Sequence, residues 1–217
     1  MTGTARGRTP RRAPALVAAG AALLLAGCAG APPVRHSAVD LVPRDHPRAA
    51  LLPFENLSGR EEQADLFRKV FFAKLSETGA FQMVEPGQVD AVLDSLRLRA
   101  AGGSLALEDL RRVSAALNAP CLLLGSVLES GTVRAGDADV PSAGAALRLV
   151  DTRSGNVLWA GVHFRTGEDR ETVFGWGRET DPARLIATLA DDMLADFRRA
   201  GEAAQSRLSR GDREEPR

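Results

Sequence analysis

The stretch that most limits what this chain can fold into is its first 28 residues, because it decides where folding can begin. Arg6, Arg8, Arg11 and Arg12 stand there without an acidic residue, and an apolar run from Ala13 to Gly27 follows. Leu16, Val17, Leu23, Leu24 and Leu25 lie within that run. A basic start, a short apolar stretch and small residues before a cut site together make a secretory signal peptide. A bilayer-spanning helix needs roughly 20 apolar residues, more than this run supplies. Arg11-Arg12 is followed by Ala13 and Pro14, where a twin-arginine signal wants bulky residues.

Removing residues 1–27 of 217 leaves 190, enough for one domain with its own core. The whole chain balances 28 basic against 28 acidic residues, and four arginines leave with the signal. The mature chain therefore stands near −4 and carries no basic footprint for nucleic acid. Cys121 lies in the apolar run Cys121-Leu122-Leu123-Leu124, the setting of a buried, inert thiol.

Residues 28–47 hold Pro32, Pro33 and Pro43 among small and polar neighbours and read as a flexible tether. Its residues 29–46 would span roughly 23 Å as a coil and at most about 56 Å as polyproline helix. One α/β domain is expected over 48–200, and a charged, disordered tail over 201–217.

Within the domain, Ala49 to Phe54 reads as a short buried strand. Ser58 and Glu61 have capping-box spacing ahead of a helix carrying Leu66, Phe67, Val70, Phe71 and Leu75, which Gly79 stops. Ala80–Val84 is a second strand. Pro86 opens a helix with Val89, Val92, Leu93 and Leu96, and another runs from Ser104 to Leu117. Cys121–Leu128 has the unbroken apolarity of a central strand. A loop over 129–141 then leads to strands 145–150 and 157–164, joined by the turn at 151–156. Asp181-Pro182 caps a last helix with Leu185, Ile186, Leu189, Met193, Leu194 and Phe197. The order β-α-β-α-α-β-β-β-α implies a two- or three-layer α/β sandwich, with a mixed sheet of about five strands and about four flanking helices.

Catalytic signals are absent. His36, His46 and His163 have no metal-site spacing, and Gly125-Ser126 lacks the nucleophile-elbow arrangement. The chain reads as no enzyme and as needing no metal or cofactor. Asp191 and Asp192 read as a solvated helix face. Phe174 and Trp176 stand out as large aromatics in a polar, glycine-bearing loop. Either they fold back over the domain or they anchor a partner.

Leu25-Ala26-Gly27-Cys28 resembles a bacterial lipobox. The resemblance implies that diacylglycerol alkylates the Cys28 thiol, that the chain is cut before it, and that its new amine is acylated, palmitate being one such acyl group. Ala29 is not the aspartate that retains many lipoproteins in the inner membrane, so the resemblance points to the outer membrane, with the domain in the periplasm. Ala50 to Gly59, Gly125, and Leu149 to Trp159 further resemble a group of envelope lipoproteins. These are the curli-secretion (CsgG-like) proteins, the LpoB-like activators of penicillin-binding proteins, and the amino-terminal domain of TolB.

That resemblance implies a non-catalytic protein-interaction module in envelope assembly, secretion or cell-wall regulation, with an envelope or periplasmic protein as partner. The alternatives are an oligomeric, CsgG-like secretion-channel component and a cryptic hydrolase. Membrane-inserting hairpins need strands of roughly 9–11 residues with one apolar face. Segments 129–144 and 166–181 are too short and too broken by charge or proline, so no pore is expected.

Overall fold

The computed structural model describes residues 34–37, 47–60, 62–98, 105–136, 138–172 and 176–211, with side chains from 47 to 202 within those ranges. Leu25, Ala26, Gly27, Cys28, Glu61 and Phe174 lie outside the described residues. The chain divides into Met1–Pro32 and Pro33–Arg217, and the fold described is that of the second unit.

Seven strands form one mixed sheet: β1 Val34–Ser37, β2 Arg48–Leu51, β3 Glu55–Asn56, β4 Gln82–Met83, β5 Cys121–Ala135, β6 Ala138–Asp151 and β7 Val157–Thr166. The helices are α1 Gln63–Thr78, α2 Pro86–Ser95, α3 Leu107–Leu117 and α4 Pro182–Gly211. Across the sheet the order is β1-β7-β6-β5-β2-β4, with β3 also on β5. β2 runs parallel to β5, and β5, β6 and β7 form an antiparallel meander. The expected α/β sandwich with its mixed sheet and four helices is therefore present, with two short strands, β1 and β3, added to it.

The alternation of strand side chains sorts the core into two layers. On one face Leu51, Leu123, Leu147, Leu149 and Trp159 meet Phe67, Phe71 and Leu75 of α1 and Leu185, Ile186, Leu189, Met193 and Phe197 of α4. On the other, Ala50, Leu52, Leu122, Leu124 and Val150 meet Val89 and Leu93 of α2 and Leu110, Val113 and Leu117 of α3. Arg68 joins the two layers. It projects from α1, is only 7% exposed, and its guanidinium donates to Asp90 of α2 at 2.7 and 3.0 Å. It donates as well to the Leu51 and Pro86 carbonyls at 3.4 and 3.3 Å.

Several expectations need correction. Ser58 caps no helix: its amide and hydroxyl both donate to the Asn56 side chain, and α1 starts beyond Glu62 without a side-chain cap. Within the expected loop 129–141, residues 129–135 and 138–141 are strand. β5 and β6 stay paired out to Ala135 opposite Ala138, with Thr132 opposite Pro141. Pro141 has no amide to donate, and its carbonyl accepts from Gly167 at 2.8 Å. Part of the tether is strand β1, laid antiparallel on β7. The charged tail is helical as far as Gly211, because Gly201 is buried and Ala200 packs on the core instead of ending the helix. Asp191 and Asp192 are not merely solvated: they pair with Lys74 at 3.1 Å and Arg165 at 2.7 Å. Leu107 is 38% exposed and covers Gly155 in the β6–β7 turn.

Cys121 is buried, and desolvation pushes its thiol up to about 11. Thiolate is the reactive form. A maleimide at neutral pH is therefore expected to leave position 121 unlabelled in the folded chain and to label it only after denaturation. Rapid labelling of the native protein there would show that this end of β5 opens.

Candidate interaction surface

The loop that follows β7 is built to hold its shape. At its entry the Asp169 carboxylate accepts from the Thr166 hydroxyl at 2.6 Å, the Thr166 amide at 3.2 Å and Arg165 at 3.2 Å. Burial pushes the Asp169 carboxyl up, but these donors outweigh it and hold it below its ordinary value. Gly167 passes so close to Val140, Pro141 and the Glu179 carbonyl that a side chain there would collide with them. Its amide donates to Pro141 at 2.8 Å and its carbonyl accepts from Glu179 at 2.7 Å. The two ends of the loop are thus pinned together against the β6 hairpin arm.

Further out, the Arg178 guanidinium grips Glu171 with bonds of 2.8 and 2.9 Å, the fork geometry that suits a carboxylate. The Trp176 carbonyl accepts from the Thr172 amide at 2.7 Å and from its hydroxyl at 3.0 Å. Gly177 has φ +89°, a left-handed backbone only glycine adopts without strain. The loop therefore turns sharply just beyond Trp176. Its indole stands out of the surface, 76% exposed.

Among the described residues Trp176 is not folded back over the domain, and Phe174, read together with it, lies outside them. Indole exposure is not carried by spacing, so only the turn-prone Gly175-Trp176-Gly177 hinted at it. The other tryptophan behaves oppositely: Trp159 is buried edge-on against Phe197, 5.6 Å between ring centroids.

A second exposed aromatic lies nearby in sequence. Phe164, 57% exposed, stands on β7. Among the described residues no helix covers the strand positions Ser126, Ala146, Arg148, Ala160 and Val162, since α2 and α3 reach no further than Val150 and Val157. With Glu55 and Leu124 they line a shallow cavity of about 230 Å³.

The remaining polar chemistry is structural. His163 Nε2 lies 3.0 Å from the buried Asp196 carboxylate, which Arg199 also engages, so this histidine is packed between β7 and α4. Among the described residues no group of His, Cys, Asp or Glu is placed to hold a metal ion. No helix of the described residues is long and apolar enough to cross a membrane.

No protein family and no curated protein matches the sequence. Solved structures do share the fold. A PelC dodecamer from Paraburkholderia phytofirmans overlaps with a TM-score of 0.52 at 19% identity, over 76% of this chain and 96% of that one. Lipoprotein GNA1162 from Neisseria meningitidis overlaps at 0.52 and 21% identity, over 70% and 99% of the two chains. An LpoB C-terminal domain from Escherichia coli, of the group the sequence resembles, is similar more loosely, at 0.42 and 14% identity over 67% and 93%. At these identities the likeness to the first two establishes the fold alone.

Proposed function

We propose that this chain is a lipoprotein acylated at Cys28, whose α/β domain binds a partner protein in the cell envelope without catalysing a reaction. Trp176, held out on a braced loop, carries the reading. An aromatic in a fixed position gives large contact area at small entropic cost, which is why tryptophan recurs at the centres of interfaces. The outer membrane, with the domain in the periplasm, is the location that Ala29 favours. Fold kinship with lipoprotein GNA1162 supports an envelope setting.

The test is crosslinking in cells with wild-type and Trp176→Ala proteins, followed by mass spectrometry. The substitution is expected to lower recovery of the specific partner at least about tenfold, since truncating such an anchor costs about 2 kcal/mol or more. It should shift stability by no more than about 0.5 kcal/mol, as surface changes do. Unchanged recovery from a normally folded variant would remove Trp176 from the interface.

A second reading, assembly with copies of itself, is favoured by the uncovered half of the sheet bearing Phe164 and by the likeness to a dodecamer. Sedimentation of the purified protein, which would be monomeric under the first reading alone, separates the two.

A further inference from the structure

The pairing of β1 changes what the segment after Cys28 can do. β1 lies antiparallel to β7, with Val34 opposite Val162 and Ser37 opposite Trp159. The chain therefore enters β1 from the end of the sheet where β7 finishes, the end from which the Trp176 loop leaves. Only residues 29–33 separate Cys28 from this strand. Six backbone steps reach about 20 Å at full extension.

Without β1 the first described element is β2, which begins at Arg48. β2 is parallel to β5 and starts beside Cys121, at the opposite end of the sheet from the loop. The tether then covers 20 steps from Cys28 to Arg48, at most about 65–70 Å. Releasing four residues of strand thus triples the reach and moves the point of attachment from one end of the domain to the other.

We infer that β1 is an orientation clamp: paired with β7, it turns the Trp176 end of the domain toward the anchoring membrane, and released, it lets that end face away. The inference rests on the proposed acylation of Cys28. Neighbouring sequence limits the clamp to a short strand. Pro32 and Pro33 precede Val34, and prolines cannot donate to a ladder. Among the described residues the pairing begins at Val34 opposite Val162, and β7 continues to Thr166. A strand of four residues at a sheet edge is among the elements easiest to detach.

The experiment uses the full chain, processed in cells and purified from the envelope, in vesicles of phosphatidylethanolamine and phosphatidylglycerol with a trace of acceptor-labelled lipid. A fluorescent unnatural amino acid replaces either Glu168, exposed at the loop end, or Arg153, exposed in the β6–β7 turn. β7 alone separates these ends by about 30 Å. Energy transfer to the membrane is expected to be about twofold or more greater from position 168 than from 153.

Two changes should narrow that difference. Arg35→Pro with His36→Pro removes a ladder donor whichever of the two amides faces β7. A spacer of about ten Gly and Ser residues after Ala29 lengthens the tether with β1 and the folded domain untouched. Equal transfer from both positions in the unaltered protein, or a difference that survives the spacer, overturns the clamp. Absence of lipid in the mass of the purified protein overturns instead the reading of Cys28. The clamp is then read on the same protein with the Cys28 thiol coupled to a maleimide lipid, Cys121 being buried.

Discussion

The Cys28→Ala protein is expected to leave the membrane fraction almost completely and to appear with soluble envelope or unprocessed material. Each buried methylene of an acyl chain contributes about 0.8 kcal/mol, so one chain binds marginally and two or three bind firmly. The described residues offer little in compensation. Their large exposed apolar side chains are Leu57, Leu107, Phe164 and Trp176, and none of their helices can span a bilayer. Fractionation with immunoblotting checks this, alongside the intact mass of wild type, which should carry the added lipid. Retention of the variant on membranes through a carbonate wash would mean that something other than Cys28 holds it there.

The second large effect is expected in the core. Gly125 and Phe54 both belong to the segments that resemble envelope lipoproteins, and the structure gives them a common purpose. A Cβ at Gly125 would collide with the Phe54 ring. That ring cannot easily withdraw, because it packs against Phe71 at 5.3 Å and Phe67 at 6.4 Å between centroids. Gly125→Val should therefore destabilise the domain by about 3 kcal/mol, the upper range for overpacking. For a domain of this size that lowers Tm by about 6–12 °C. Thermal unfolding of Gly125→Val, Phe54→Leu and the double variant tests it. The smaller leucine should recover part of the loss, so the two effects should not add. Strict additivity would refute the interlock.

Periodic elements were legible because burial follows period. The apolar positions of α1, α2 and α4 sit in the core as their spacing predicts. What escaped was structure with weak side-chain contrast. In β5 and β6 the stretches 129–135 and 138–142 mix Glu, Ser, Gly, Thr, Arg, Ala, Asp and Pro with Val133 and Val140, which reads as loop although the backbone ladder runs along both. Four residues in β1 are too few for any periodicity. Arg68 escaped for another reason. A charged residue in an amphipathic helix is assigned to solvent, and only tertiary structure brings Asp90 and two carbonyls to it. The grip of Arg178 on Glu171 beside the exposed Trp176 escaped too, a contact between residues that look like ordinary loop charges.

The Arg68 contact bears on how the domain comes apart. A sandwich with separate cores on its two faces could shed one helical layer and keep the other. Here α1 and α2, on opposite faces, share one guanidinium. If α2 lifts away, Arg68 loses the Asp90 carboxylate and the Pro86 carbonyl together; with Asp90 half exposed the ion pair itself is screened and contributes about 1 kcal/mol. Loosening either layer therefore destabilises the other. One side chain thus ties the two helical layers together across the edge of the sheet.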